Sequence, residues 1–102
     1  MPFFKKKTYR SKKYLEWIRS EDNVCAMCDI GGYENNPLVA HHAISIPGLQ
    51  LGMMGGKSSD TFCIPLHASC HVEFHSHFDK YKWDQPIWLM KTLERYARKN
   101  LD

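Results

Sequence analysis

The hydrophobic pattern predicts a helix near each end of this chain. In SKKYLEWIRSEDN, residues 11–23, apolar residues recur at helical spacing after a serine that can cap the first turn. DQPIWLMKTLERYARKNL, residues 84–101, has the clearest helical pattern, with a proline in its first turn and basic residues near its C-terminal end. The apolar face of this last helix is expected to consist of Ile87, Met90, Leu93, Ala97 and Leu101.

The middle of the chain alternates turn-forming stretches with short regular elements. LVAHHAI, residues 38–44, and TFCIPL, residues 61–66, have the composition of strands, and a Gly- and Ser-rich connection, residues 45–60, separates them. HASCHVEFHSHFDKY, residues 67–81, contains no glycine or proline and is expected to be a helix. VCAMCDIGGYENNP, residues 24–37, indicates a cysteine knuckle and a loop. This order predicts a single α+β domain over the 102 residues, with a two-stranded element at its centre.

The positive charge is concentrated at the N-terminus, which we define as a basic arm, residues 1–13. The whole chain carries 14 basic and 11 acidic residues, but no acidic residue occurs before Glu16. Such a cluster is either a solvated tail or an arm that binds nucleic-acid phosphates by releasing counterions. The basic residues of the arm are Lys5, Lys6, Lys7, Arg10, Lys12 and Lys13.

The composition also bears on the compartment. No apolar run approaches the roughly 20 residues of a membrane-spanning helix, and residues 1–10, MPFFKKKTYR, lack the apolar core of a signal peptide. Four cysteines occur together with six histidines, which favours metal binding in a reducing compartment over disulfides. We therefore expect a cytoplasmic protein without a membrane partner and, by default, a monomer.

Two pairs of metal-ligand residues predict a structural zinc site. Cys25 and Cys28 form a CxxC pair, the usual half of such a site. His67 and Cys70 have the same spacing, and two ligands two residues apart can readily wrap one ion. In the alternative arrangement, Cys63 replaces His67 and gives a site of four thiolates.

The histidines outside this set predict a second metal site. His71 and His75 are four residues apart, so they lie on one face of a helix. His41, on the first predicted strand, can complete a set of three imidazoles that leaves positions open for water and substrate. His42 follows directly, and adjacent strand residues point to opposite faces. Imidazole ligands favour a transition metal such as Zn²⁺, Ni²⁺ or Mn²⁺ over Mg²⁺.

These motifs, in this order, resemble those of the HNH endonucleases. Taken together they are much more specific than a CxxC pair alone, and they cover roughly residues 24–78, about half the chain. The closest likeness is to phage and prophage recombination-enhancement (Ref-type) nucleases of the ββα-metal (His-Me finger) superfamily. The motifs are Cys25-x-x-Cys28, Ala40-His41-His42, Lys57-x-x-Asp60 and Pro65-Leu66-His67-x-x-Cys70-His71-x-x-x-His75.

The resemblance implies a ββα-metal core with a catalytic metal. His41 matches a metal ligand and His42 the general base, whose tautomer we expect a backbone carbonyl to fix. His71 and His75 match the remaining ligands, in an all-histidine arrangement similar to that of the nuclease colicins. The expected ion is Mg²⁺, Mn²⁺, Ni²⁺ or Zn²⁺.

The resemblance also implies a zinc knuckle, in which Cys25, Cys28 and Cys70 match the usual cysteines. His67 stands at the fourth position, where cysteine is common. The central asparagine that braces the loop between the strands in this family has no clear counterpart. Asp60 is the best substitute, since it can accept hydrogen bonds from loop amides, although an aspartate before a strand is also an ordinary turn residue.

The implied activity is metal-dependent hydrolysis of DNA phosphodiester bonds by a phage- or prophage-encoded enzyme in the bacterial host cytoplasm. Lys57, in the long connection, and the basic arm are the expected phosphate contacts, with a recombination or packaging protein as a candidate partner. One competing interpretation is a non-catalytic zinc module that binds nucleic acid through the arm and needs neither His42 nor a second metal. Another is a recombination or packaging accessory whose nuclease acts only with a partner.

Overall fold

The computed structural model describes residues 9–46 and 59–101, and within these ranges the chain is a small α+β protein. Its sheet has two antiparallel strands, in which Leu38 lies opposite His67 and His42 lies opposite Cys63. The elements, in order, are α1 (Lys12–Ile18), β1 (Leu38–His42), a 3₁₀ turn (Asp60–Phe62), β2 (Cys63–His67), α2 (Ala68–Ser76), α3 (Phe78–Tyr81), a second 3₁₀ turn (Lys82–Asp84) and α4 (Gln85–Leu101).

Helix α1 begins as the sequence predicts. The Ser11 side chain accepts a hydrogen bond of 3.0 Å from the Tyr14 backbone N–H, which satisfies one of the unpaired donors of the first turn. The helix packs on α4 through a cluster of rings, in which the Tyr96 ring lies 4.9 Å from that of Tyr14 and 5.0 Å from that of Trp17. These contacts hold α1 over the face of the sheet that carries Cys63.

The opposite face of the sheet is covered by α2 and α4. Ile64 and Leu66 from β2 are fully buried there against Phe74 from α2. Trp88 and Leu89 from α4 complete this core. A strand residue therefore faces either α1 or the α2–α4 layer, and neighbouring residues face different layers.

The predicted helix over residues 67–81 is interrupted. Helix α2 ends at Ser76, and His77 leaves the helical conformation with φ −129° and ψ 50°. The bend returns Phe78 to the core, where its ring makes an edge contact with Phe74 at 5.5 Å. Periodicity missed this break because the segment contains no glycine or proline.

The predicted apolar face of the last helix was wrong. Ile87, Met90, Leu93 and Leu101 are exposed, and the buried residues of α4 are instead Gln85, Trp88, Leu89 and Thr92. The helix has apolar side chains on two faces, and the face carrying the large Trp88 ring is the one that packs on Phe74. No helix in the described ranges is both long and apolar enough to cross a membrane.

Candidate metal centres and active site

Three histidines from two elements converge in the layer between the sheet and α2. His41 extends from β1 toward α2, where its Nδ1 lies 3.2 Å from the Nε2 of His71. His75, one helical turn farther on, places its Nε2 3.1 Å from the same His71 atom. The three ligand atoms lie within 4.8 Å of one another. The structure therefore brings together the set predicted from the sequence.

The geometry of this three-histidine cluster fits a shared cation. Metal–nitrogen distances of about 2.0–2.1 Å in a tetrahedral site place two nitrogen ligands about 3.3 Å apart, close to the 3.1 and 3.2 Å between the histidine nitrogens. His41 is buried and His71 partly buried, whereas His75 is exposed. The cluster thus has a closed side against the core and a side open to solvent.

A buried glutamine determines which nitrogen of His41 carries the proton. Gln85 Oε1 lies 3.0 Å from His41 Nε2 and also accepts the Ile44 backbone N–H. The Gln85 amide nitrogen donates to the carbonyls of Ile44 and Lys82, so the orientation of the amide is set by the backbone. His41 Nε2 must therefore donate, which leaves the Nδ1 lone pair directed at the other two histidines.

The electrostatic environment favours the neutral form of two members of this cluster, His41 and His71. Burial lowers the pKa of His41 to about 4, opposed by the hydrogen bond to Gln85 and reinforced by the neighbouring histidines. Burial, with His75 nearby, also lowers the pKa of His71. Neutral imidazole is the form that binds metals, so the lowered pKa values of His41 and His71 favour cation binding at neutral pH.

Gln85 was not predicted as a functional residue. Its contact with His41 spans 44 residues of sequence. Its side chain is fully buried, which is unusual for a glutamine and marks it in the structure. No local pattern could have revealed the contact, because it depends on how α4 packs on the sheet.

Replacing Gln85 with leucine should weaken cation binding at the three-histidine cluster by about 10–100-fold, because His41 loses the acceptor that fixes its tautomer. Calorimetric titration with Mn²⁺ or Zn²⁺ after the zinc knuckle is filled would measure this. The knuckle metal should remain bound, which serves as the internal control. Unchanged affinity in a folded Gln85→Leu protein would contradict a positioning role.

His42 lies on the other face of β1, as predicted, but its partner is a side chain. Its Nε2 lies 2.9 Å from Asp60 Oδ1, so the expected backbone-carbonyl partner was wrong. The Asp60 carboxylate requires the proton on Nε2 and leaves the Nδ1 lone pair available. His42 is partly exposed, with 16% of its side-chain surface accessible. This is the arrangement of a base held by a carboxylate.

Asp60 is a buried carboxylate that accepts hydrogen bonds from several donors. The Ser11 backbone N–H donates to its Oδ2 at 2.6 Å, and Arg10 donates to its Oδ1 at 3.1 Å. Burial acts to raise the pKa of Asp60, but the hydrogen bonds from His42, Ser11 and Arg10 outweigh it and lower the pKa below the usual range. The predicted role as a hydrogen-bond acceptor is thus seen with donors from the N-terminal segment and His42.

The described residues of the basic arm have different surroundings. Arg10 is paired with Asp60 beside His42, while Lys12 and Lys13 are exposed in the first turn of α1. Lys5, Lys6, Lys7 and Lys57 lie outside the described residues. The Arg10 guanidinium is engaged with a buried carboxylate, and its role as a phosphate contact stays a prediction.

Cys25, Cys28, His67 and Cys70 form a second cluster, whose ligand atoms lie within 4.8 Å of one another and could hold a metal such as zinc. His67 Nδ1 lies 3.2 Å from Cys28 Sγ and 3.9 Å from Cys70 Sγ. His67 Nε2 donates to the Gly31 carbonyl at 2.8 Å, so Nδ1 presents its lone pair to the thiols.

The alternative fourth ligand, Cys63, lies elsewhere. It is fully buried in β2 on the side of α1 and belongs to a group with His42 and Asp60. His67 occupies the fourth position because it ends β2 directly before α2, the helix that carries Cys70. The paired spacing in the sequence therefore identified the members of the cluster correctly.

Backbone contacts shape the knuckle. The Ala26 N–H donates to the Pro65 carbonyl at 2.8 Å, which fixes the CxxC turn to β2. Asp29 adopts a left-handed conformation, φ 61°, directly after Cys28. A side chain at Gly32 would meet the Leu38 backbone nitrogen at 2.8 Å, so only glycine fits at this close approach.

Two thiols of the knuckle, those of Cys28 and Cys70, have raised pKa values. Burial, together with the adjacent Cys25 thiol, raises the pKa of Cys70 to about 12, and burial also raises that of Cys28. Closely packed thiolates repel one another, and a divalent cation removes this repulsion.

Zinc binding to the metal-free protein at neutral pH should therefore release protons, because raised thiol pKa values mean that Cys28 and Cys70 begin protonated. Stopped-flow mixing with a pH indicator in weak buffer would measure roughly one proton for each cysteine ligand. A Cys28→Ser protein should release fewer protons. Zinc binding without proton release would contradict thiolate ligation.

Comparison with known proteins places the chain in a protein family. A family model described as "Protein of unknown function (DUF968)" matches residues 1–97. No curated protein and no solved structure matches the chain.

Proposed function

The chain belongs to the DUF968 family, and we propose that it is a metal-dependent endonuclease with an HNH-type ββα-metal core, acting on DNA. The observation that carries this proposal is that the two faces of β1 present different groups. His41 joins His71 and His75 on one face of the strand, while His42 pairs with Asp60 on the other. Adjacent residues thus supply a cation site and a base.

Phosphodiester hydrolysis needs both functions close together. Water has a bulk pKa near ~15.7, so a base must take its proton, and a neutral histidine with a pKa near ~6.5 suits this task. His42 offers its Nδ1 lone pair, since Asp60 holds the other nitrogen in the protonated state. The imidazolium that forms is stabilised by the buried carboxylate.

The three-histidine cluster would act on the side of the phosphate opposite His42. A divalent cation, when bound there, neutralises phosphate charge and stabilises the leaving 3′ oxygen. His41 is fixed by Gln85, and His71 and His75 are fixed by their helix, so the three donors are oriented in advance. The exposed side of the cluster, at His75, leaves room for a phosphate.

The knuckle and the basic residues complete the proposal. We assign a structural Zn²⁺ to Cys25, Cys28, His67 and Cys70. Phosphate contacts would come from the lysines of the basic arm and from Lys57, with Arg10 retained at Asp60. A core of this size has little surface for reading bases, which suits a phage or prophage enzyme of DNA recombination or processing with limited sequence specificity.

Cleavage of supercoiled plasmid tests the proposal with a matched pair of histidine variants. His75→Ala removes an exposed ligand and should lower the rate by at least about 100-fold, because the cluster loses a donor without disturbing the core. His77→Ala changes another exposed histidine two residues away, whose Nδ1 lies 3.4 Å from the Glu73 carboxylate, and should keep full activity.

The assay should compare Mg²⁺, Mn²⁺, Ni²⁺ and Zn²⁺ on supercoiled, linear and single-stranded DNA, with RNA as a further substrate. Equal activity of the His75→Ala and wild-type proteins would exclude the three-histidine cluster as the catalytic cation site. Binding of DNA without cleavage under every condition would favour the non-catalytic zinc module. Cleavage of RNA alone would correct the substrate.

A further inference from the structure

A third group of metal donors lies around His42. Cys63 is the residue directly opposite His42 in the sheet, and Asp60 precedes it in the 3₁₀ turn. One ligand atom from each of these side chains lies within 4.8 Å of the other two. We propose that His42, Asp60 and Cys63 form an inhibitory site for a thiophilic divalent cation, with Zn²⁺ as the probe.

The donors have the chemistry of a zinc site. Imidazole, carboxylate and thiolate are three ligand types that Zn²⁺ binds in proteins, whereas thiolate disfavours Mg²⁺ and Ca²⁺. Asp60 and Cys63 are almost fully buried, at 2% and 0% exposure. A cation held there would be shielded from water, and its charge would be balanced by the carboxylate and the thiolate.

His42 and Arg10 are the partly exposed side chains at this group, with 16% and 49% of their side-chain surfaces accessible. The Arg10 guanidinium now occupies part of the Asp60 carboxylate, but 49% of its side-chain surface is exposed. It can therefore turn into solvent when a divalent cation takes its place on Asp60. The exchange replaces the single positive charge of Arg10 beside the Asp60 carboxylate with the double charge of the cation.

The effect on catalysis follows from the protons of the imidazole and rests on the proposed function. His42 Nε2 now carries the proton that points at Asp60. A cation on Nε2 needs that lone pair, so the single proton of the neutral ring moves to Nδ1. Nδ1 then donates and cannot take a proton from water. The Cys63 thiol proton is released to solvent, and the net change is one proton lost and a blocked base.

With such a site, low concentrations of Zn²⁺ would fill the structural knuckle, and higher concentrations would inhibit cleavage. The knuckle, with three thiols and one imidazole, should fill first. The third site competes with the Arg10–Asp60 ion pair and should fill last. An enzyme supplied with Mn²⁺ at the three-histidine cluster would then lose activity as free Zn²⁺ rises.

The test compares wild type with Cys63→Ala and Cys63→Ser, since Cys63 has no part in the proposed hydrolysis. Native mass spectrometry should count three zinc ions on the wild type and two on either variant. In Mn²⁺-supported plasmid cleavage, half-inhibition should need at least about tenfold more Zn²⁺ for the variants. Zn²⁺ that displaces Mn²⁺ from the histidine cluster affects all three proteins alike, so the difference isolates Cys63.

Using both Cys63→Ala and Cys63→Ser guards against a folding defect, because the serine hydroxyl and the alanine methyl disturb this buried position differently. Equal zinc counts in a folded variant and the wild type, or equal inhibition, would overturn the site. If the wild type fails to cleave with every metal, the proposed function fails, and the zinc count alone still decides the third site. If cleavage is intact but unaffected by Zn²⁺, only the inhibitory site fails.

Discussion

Replacing His42 with alanine should lower DNA cleavage by about 10²–10⁴-fold or more while leaving metal content and folding near normal. The proposed base is lost, and His42 belongs neither to the knuckle nor to the three-histidine cluster, the two sites whose metal content is compared. Its side chain is partly exposed and bonds only to Asp60 among the described residues. Initial rates under single-turnover conditions, with metal analysis and thermal unfolding on the same samples, measure all three quantities.

Asp60→Asn makes a useful companion to His42→Ala. The amide oxygen can still accept a hydrogen bond from His42, but the negative charge that stabilises the imidazolium is gone. The loss of cleavage rate should therefore be smaller than for His42→Ala, and the pH dependence of the rate should change. His77→Ala again provides the unchanged histidine control. Full activity of a purified His42→Ala protein would refute its assignment as the base.

Removal of the knuckle metal should have the largest effect on stability. Structural zinc contributes apparent binding free energies of about 10–16 kcal/mol, whereas a domain is stable by only about 5–15 kcal/mol in total. Cys28 is exposed, so Cys28→Ala removes a ligand with little loss of packing. We expect this variant to be largely unfolded at 25 °C, with zinc content and thermal unfolding followed by circular dichroism as the measurements.

Two cysteine variants show whether this loss comes from ligation. Cys63→Ala changes a buried cysteine outside the knuckle and should cost only about 1–2 kcal/mol while the knuckle zinc stays bound. Cys28→His supplies another competent zinc ligand and should recover part of the stability. A Cys28→Ala protein that lacks knuckle zinc but melts at the wild-type temperature would contradict a structural role for the metal.

The exposed apolar residues of α4 show where periodicity stops being informative. Ile87, Met90 and Leu93 follow helical spacing as well as the buried residues do, and the helix bounds were predicted to within one residue. The choice between the two faces depends on volume and on partners across the chain. Trp88 fits against Phe74, and Gln85 finds both backbone groups of Ile44.

The sequence by itself determined the parts of this protein that depend on short spacing. The CxxC pair, the four-residue interval from His71 to His75 and the alternation of His41 and His42 each follow from local backbone geometry. They predicted which residues come together as possible metal ligands and that His42 faces away from them. The α+β order of elements followed from the same local patterns.

The tertiary structure decided which partners these residues have. His42 meets Asp60 across 18 residues, and His41 meets Gln85 across 44. The same packing placed His67 in the knuckle and Cys63 beside His42. Such contacts form where elements distant in sequence pack together, and packing depends on the volume, burial and hydrogen bonding of the whole core, which no local spacing encodes.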